Sequence, residues 1–93
     1  MPGNGPLRRT VSVCNPLGLH MRPATAFAQA ARGFRAVVTV WNGDKRADGK
    51  SSLDLILLVA ECGAELVLEV DGEDAPAALP ALASLLADPG DGL

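Results

Sequence analysis

Residues 18–31 read GLHMRPATAFAQAA, and this stretch determines where the first helix of the chain begins. Apolar residues recur in it at the spacing of one helix face, at Ala24, Phe27, Ala28 and Ala31. Pro23 precedes that pattern, and a proline fits a helix only in the first turn, where its missing N–H would have no partner. The helix is therefore predicted to begin at His20 or Met21, and Gly33 is predicted to be its left-handed C-cap.

His20 is the only histidine of the chain, and this helix start places it beside an anion site. The N–H groups of Met21 and Arg22 have no acceptor inside a helix, and the helix dipole is positive at this end. The Arg22 guanidinium can also bind phosphate oxygens with two hydrogen bonds. His20 is thus predicted to accept a phosphoryl group, which the backbone and Arg22 stabilise. The alternative is a surface or capping histidine without a role.

Short segments with alternating apolar residues predict the strands of a sheet. Three of them lie at 10–14, 36–41 and 65–70. Asn42-Gly43 predicts a tight hairpin, because both residues tolerate positive φ, with a short charged return strand at 45–48. The chain therefore contains four predicted strands.

Two further helices are predicted after the hairpin. Ser51 or Ser52 can cap a short apolar helix that Gly63 closes. Asp74 can cap a third helix. Pro80 lies past the first turn of that helix, so the helix is expected either to bend there or to start later.

The predicted order, β-α-β-β-α-β-α, indicates one α+β domain in which helices cover one face of a sheet and water covers the other. The domain is expected to span 10–88. A flexible Gly/Pro-rich lead-in at 1–9 precedes it, and a frayed tail follows at 89–93.

Composition argues against several classes of function. The net charge is −3 and no basic stripe exists, so nucleic-acid binding is not expected. Cys14 and Cys62 lie in no CxxC pattern; we expect no metal site and no cofactor, and buried free thiols rather than a disulfide. No long apolar run or signal peptide is present, so we expect a cytoplasmic protein that does not insert into membranes. No carboxylate pair or glycine-rich phosphate loop predicts an enzyme.

The motif GLHMRPA at 18–24 closely resembles the active site of the histidine-containing phosphocarrier (HPr) family of the bacterial phosphoenolpyruvate:sugar phosphotransferase system. A second motif, Lys50-Ser51 before an apolar helix, lies in register with the first, and no gap is needed from Thr10 to Ala87. The resemblance implies the family's open-faced β-sandwich, a four-stranded antiparallel sheet with three helices on one face. It also implies a monomeric phosphocarrier rather than an enzyme.

The resemblance assigns roles to individual residues. His20 matches the histidine that enzyme I phosphorylates on Nδ1, drawing on phosphoenolpyruvate, before the group passes to a IIA-type domain. Arg22 matches the active-site arginine and Pro23 the helix-start proline. Ser51 matches a serine that HPr kinase/phosphorylase modifies in some bacteria, although a serine before an apolar helix is usually just an N-cap.

The partner-docking face implied by the resemblance includes Met21 and Leu53. Ser52 and Asp54 stand where many members have an apolar residue and a small or basic one. We expect them to weaken an apolar contact and to repel an acidic partner. Leu17 replaces a polar residue that orients the histidine in some members, so the backbone is expected to orient it here.

Three functions follow from these features. The first is a phosphocarrier in sugar uptake, and the second is a regulatory relative, phosphorylated at His20, that serves a signalling or nitrogen-related branch. The third is an interaction module without phosphate chemistry, which the presence of both His20 and Arg22 disfavours. The sequence does not decide between the first two.

Overall fold

A computed structural model describes residues 5–89 of the chain. The predicted lead-in and tail fall outside this range at 1–4 and 90–93. Seven elements follow one another in the predicted order. They are β1 (Leu7–Ser12), α1 (Met21–Arg32), β2 (Val37–Asn42), β3 (Lys45–Asp48), α2 (Ser52–Leu57), β4 (Glu65–Asp71) and α3 (Ala75–Ala87).

The four strands form one antiparallel sheet in the order β1-β4-β2-β3. In the central strand β4 the side chains alternate, so that Leu66, Leu68 and Val70 are fully buried while Glu65 is exposed. This alternation is typical of a sheet with one covered and one wet face. The predicted fold class, an α+β open-faced β-sandwich with three helices, is confirmed.

The core lies between the sheet and the helices. It takes the predicted face of α1, with Phe27 fully buried, and the interior residues of α2 and α3, Leu55 and Leu82. Burying each such side chain stabilises the fold by about 2 kcal/mol. Within residues 5–89 no polar or charged side chain is buried, so the polar groups that determine function lie at the surface.

Strand β1 begins earlier than predicted. It starts at Leu7 rather than Thr10, so the last three residues of the predicted lead-in belong to the sheet. Leu7 pairs with Val70 and packs against the core, and Arg8 forms an ion pair with Glu69 at 3.5 Å on the wet face. Pairing with the central strand therefore orders residues whose Gly/Pro-rich neighbours had indicated a loop.

Two helix ends differ from the prediction. Gly33 has φ −75° and ψ −9°, a right-handed conformation, and its N–H continues the helical pattern by donating to Ala30 at 3.0 Å. Helix α2 ends at Leu57 instead of continuing towards Gly63, because the chain reverses at Val59, which has φ +51°. Gly63 belongs to a separate turn that leads into β4.

Helix α3 runs without interruption through Pro80. It begins at Ala75, so the expected later start is wrong. Pro80 has no N–H to donate to the carbonyl of Pro76, four residues earlier. Both residues are exposed, so water can bind that carbonyl instead. The buried face of the helix, which includes Leu79 and Leu82, offsets the roughly 3 kcal/mol cost of an internal proline.

Asp74 precedes α3, as predicted, but its side chain does not cap that helix. Its two carboxylate oxygens accept hydrogen bonds from the N–H groups of Arg35, at 2.7 Å, and Ala36, at 2.9 Å. The Arg35 N–H bond is the main cause that holds the pKa of Asp74 below its ordinary value; partial loss of hydration opposes it, and the Ala36 bond adds to the lowering. Asp74 thus joins the loop between α1 and β2 to the start of α3 by hydrogen bonds.

Candidate functional site

His20 is the N-cap residue of α1, where Pro23 had placed it. Its backbone is extended, with φ −91° and ψ −168°, and its carbonyl accepts the first helical hydrogen bond from Ala24 at 3.0 Å. The imidazole is half-exposed and makes no capping hydrogen bond. The backbone therefore holds His20 at the helix start, and the ring nitrogens accept no hydrogen bond from a helix N–H.

A short turn delivers the chain to His20. The Gly18 N–H donates to the Asn15 carbonyl at 2.8 Å, and the Asn15 side chain accepts from the Leu17 N–H at 2.9 Å. Leu17 itself is exposed. These bonds fix the main chain before His20, and orientation of its ring by the backbone stays a prediction.

At Gly18, this turn packs closely against the segment that follows α2. Its φ is +75°, and a Cβ there would collide with the carbonyl oxygen of Ala60. The next residue, the buried Leu19, donates its N–H to that same carbonyl at 2.8 Å. Gly18 and Leu19 thus fix the position of His20 relative to the core, and only glycine fits at position 18.

The first turn of α1 carries no acidic residue, so nothing on the helix itself opposes an anion at its positive end. Met21 and Arg22 occupy the first two helical positions, and both are exposed. Pro23, in the third position, has no N–H to leave unpaired. The structure therefore brings together His20, the first-turn backbone and Arg22 at one exposed helix end, as the sequence predicted.

Five large apolar side chains are exposed on α1, on α2 and on the segments next to them, and we call these residues the apolar rim. They are Leu17, Met21, Leu53, Leu57 and Val59, each between 62% and 76% exposed. Leu17 and Met21 lie before and after His20 in the chain. Leu53 and Leu57 lie one turn apart on α2, which packs against α1, and Val59 precedes Ala60. Exposed apolar groups around a polar centre are typical of a protein-docking surface. Of these residues, only Met21 and Leu53 were predicted from the sequence to lie on a docking face.

The second predicted motif joins the start of α2 to the end of α1. The Lys50 amine donates to the Phe34 carbonyl at 2.8 Å, and the Lys50 carbonyl accepts from the Arg32 guanidinium at 2.9 Å. Of the two candidate serines, Ser51 is the N-cap: its Oγ accepts from the Asp54 N–H at 3.1 Å. The N-cap interpretation of Ser51 is therefore confirmed.

Asp54 is engaged within the fold more than the sequence indicated. It is half-buried, and its carboxylate accepts from the Asp48 N–H at 3.1 Å, joining α2 to the end of β3. Beside it, the Asn42 side chain donates to the Leu58 carbonyl at 2.9 Å. Neither bond has a signal in the sequence pattern, because both depend on how the hairpin packs against α2.

Other site chemistries find little support in the described residues. No group of three or more His, Cys, Asp or Glu residues able to hold a metal ion occurs between residues 5 and 89. Cys14 and Cys62 are free and exposed, so the expectation that they are buried is wrong. No helix in this range is long and apolar enough to cross a membrane. Two surface concavities, one along β1 and α3 and one between β3 and α2, do not include His20.

Comparison with known proteins agrees with this geometry. A family model described as the PTS HPr component phosphorylation site matches residues 7–88. The chain is 42% identical over 80 residues to phosphocarrier protein NPr of Shewanella violacea, covering 86% of this chain and 88% of that one. It is 39% identical over 80 residues to phosphocarrier protein HPr of Neisseria meningitidis serogroup A, covering 86% and 90%.

A solved structure shares the fold. The crystal structure of phosphocarrier protein HPr from Bacillus anthracis superimposes with a TM-score of 0.84 at 31% identity, covering 89% of this chain and 99% of that one. The family model and these relatives span nearly the whole described chain, including the helix start that carries His20. The chain therefore belongs to the HPr family, the phosphocarrier proteins of the phosphotransferase system.

Proposed function

We propose that His20 accepts a phosphoryl group from phosphorylated enzyme I and passes it to a IIA-type domain. One observation carries the assignment: the half-exposed imidazole is the N-cap of a twelve-residue helix with no acid in its first turn and an arginine two residues later. A helix start of this kind favours a negative charge beside it. His20 is also the only histidine of this family member.

In the proposed transfer, His20 Nδ1 attacks the phosphorus atom held by the donor. The new N–P bond forms as the bond between phosphorus and the donor breaks, and the imidazole must be neutral so that its lone pair is available. The first-turn backbone and the Arg22 guanidinium then stabilise the charge on the phosphoryl oxygens. The reverse sequence of bonds delivers the group to the acceptor.

The exposed position of His20 suits a carrier better than an enzyme. The phosphoryl group must leave again, and a helix end open to solvent binds it less firmly than a closed pocket. Partners exclude water when they cover the apolar rim, which strengthens the same contacts during transfer. We propose that enzyme I and the IIA-type domain dock in turn on this rim, with Met21 and Leu53 within it.

Two branches remain as proposals, sugar uptake and a regulatory phosphorelay. Relatives named HPr and NPr match over the same extent at 39% and 42% identity, so similarity favours neither. The test is to load the protein with labelled phosphate from phosphoenolpyruvate and enzyme I, then to offer it the IIA-type domains of its own cell. Transfer to a sugar-specific domain supports uptake, and transfer to a regulatory domain alone supports the second branch.

We propose that Ser51 is a second modification site, for HPr kinase/phosphorylase. Ser51 is half-exposed, and its Oγ already lies at a helix N-terminus, where a phosphate is tolerated locally. The added charge would face partners that dock on the neighbouring Leu53. Incubation with the kinase and ATP should label the wild type and Ser52→Ala but not Ser51→Ala. Label that persists in Ser51→Ala contradicts this part of the proposal.

For the whole chain we propose a cytoplasmic monomer without a cofactor or nucleic-acid partner, in which residues 7–88 form the phosphocarrier domain. The lower bound follows β1, which begins at Leu7, and the upper bound follows the end of α3 at Ala87. Sedimentation of the purified protein tests the oligomeric state, and a single species of monomer mass is expected.

A further inference from the structure

The two cysteines of the chain lie on segments that the backbone holds side by side. The Val13 N–H donates to the Ala64 carbonyl at 2.9 Å, and the Gly63 N–H donates to the Val13 carbonyl at 2.8 Å. Cys14 follows Val13, and Cys62 precedes Gly63. The peptide unit that ends in Cys14 is therefore hydrogen-bonded to the one that begins at Cys62.

Val13 opposes both Gly63 and Ala64 in a β-bulge, so Cys14 and Cys62 are the next opposing pair of the two segments. Directly opposed residues of antiparallel segments have Cα atoms about 4.5–5.5 Å apart. Disulfides span Cα separations of about 4.4–6.8 Å. We therefore expect the Cα atoms of Cys14 and Cys62 to lie within that window, although 47 residues lie between them in the chain.

A tight turn presents Cys62. The Ala64 N–H donates to the Glu61 carbonyl at 2.9 Å, so Cys62 and Gly63 are the central residues of a four-residue turn, and Gly63 has φ +91°. Both thiols are exposed. The Cys14 thiol makes only a weak contact with the Ser12 carbonyl, at 3.6 Å, on the edge of β1 that faces away from β4. Joining the two sulfurs therefore requires the Cys14 side chain to rotate towards Cys62, but it displaces no core residue and breaks no strong hydrogen bond.

We propose that Cys14 and Cys62 are a reversible modification site that closes to an intramolecular disulfide when it meets a small disulfide oxidant such as oxidised glutathione. The thiolate of one cysteine attacks the oxidant and releases one glutathione thiolate, leaving a mixed disulfide. The thiolate of the other then attacks the protein sulfur and releases the second. Two protein thiols are oxidised, one glutathione disulfide is reduced to two thiols, and the two protons go to the released glutathiones.

The disulfide would link covalently the two segments that hold the candidate phosphoacceptor loop. One segment leads from Cys14 to His20, and the other is the stretch after α2 that contains Ala60, to which Leu19 is hydrogen-bonded. Constraining the unfolded chain across this long loop stabilises the native state. The modification is independent of whether His20 carries phosphate, so its test needs no phosphotransfer.

The test treats reduced full-length protein with excess oxidised glutathione and measures intact mass and thermal midpoint. The wild type should lose two hydrogens, remain monomeric and melt at a higher temperature than the reduced form, and a thiol reductant should reverse both changes. Trypsin without reduction should yield a linked pair of peptides, 10–32 and 51–93, because no Lys or Arg follows Lys50 and Pro23 protects Arg22.

The single variants Cys14→Ser and Cys62→Ser serve as matched controls. Each has one thiol, so each should gain a single glutathione, and its melting temperature should not rise as that of the wild type does. The proposal is overturned if the wild type ends with two glutathiones per chain, if it forms disulfide-linked dimers, or if its thiols stay unreacted under conditions that modify the single variants.

Discussion

The Leu19 N–H donates to the Ala60 carbonyl at 2.8 Å, which joins the residue before His20 to the segment after α2. This bond joins the loop that carries the candidate phosphoacceptor to the segment that follows α2, the helix that carries two of the five residues of the apolar rim. The position of His20 therefore depends on residues some 40 positions away in the chain. Substitutions at this contact should affect folding and phosphotransfer together.

Gly18→Ala should be strongly destabilising, because the new Cβ meets both a left-handed backbone and the Ala60 carbonyl. We expect a loss of about 3 kcal/mol in the free energy of unfolding. Gly43→Ala is the matched control, since Gly43 also has a positive φ, +64°, but open space around it. Its loss should be about 1 kcal/mol. Equal losses in urea titrations of the two variants would show that Gly18 does not press against Ala60.

Arg22→Glu should slow phosphoryl transfer about tenfold or more while the thermal midpoint stays nearly unchanged, because Arg22 is exposed and stabilises charge on the phosphoryl group. Arg46→Glu makes the same charge change on β3, where the guanidinium lies 6.0 Å from the centre of the Trp41 ring. That control should transfer at close to the wild-type rate. Equal slowing in both variants would point to net charge rather than to the site.

Leu53→Asp should raise the KM for the enzyme I reaction with little effect on stability, because Leu53 is 64% exposed on the apolar rim. Val37→Asp is the control: Val37 is 65% exposed at the start of β2, outside the rim. Its KM should stay near the wild-type value. Steady-state kinetics at varied protein concentration measure both, and an unchanged KM in Leu53→Asp would remove Leu53 from the docking surface.

Asp74→Asn should lower stability at neutral pH, and the difference from the wild type should shrink in acid. The pKa of Asp74 is lowered in the folded state by the Arg35 N–H. The ionised carboxylate therefore contributes stability above its ordinary pKa, about 3.9, and that contribution is lost as the pH falls through the lower native value. Urea titrations of both proteins, from neutral pH down to a pH below the native pKa of Asp74, measure this difference in stability. A difference that stays constant over the whole pH range would refute the role of the charge.

The helix start and the hairpin were predictable because single residues determine them. Pro23 restricts the start of α1 to one turn, which places His20 at the N-cap. Asn42-Gly43 predicted the hairpin, but its position was wrong by one residue: Asn42 ends β2 and pairs with Lys45, so the two-residue loop is Gly43-Asp44, with Gly43 at φ +64°. Both features depend on local backbone geometry. The predicted site at His20 follows from the first of them and needs no knowledge of the packing.

Other features depend on tertiary contacts and could not be predicted. Leu7 joins β1 because it pairs with Val70 in the central strand. The exposure of Cys62 follows from the turn that contains it, against the general preference of cysteine for the interior. The Ala60 carbonyl supports the site through its main chain, and a main-chain acceptor leaves no signal in the residue type.

The central claim is that His20 accepts a phosphoryl group. The direct measurement incubates wild-type and His20→Ala proteins with enzyme I and labelled phosphoenolpyruvate, after matching circular dichroism and melting curves have shown that both are folded. The account predicts one acid-labile, base-stable phosphoryl group per wild-type chain, located at His20 by mass spectrometry, and none on His20→Ala. Strong label on His20→Ala, or no label on the wild type with its own enzyme I, would contradict it.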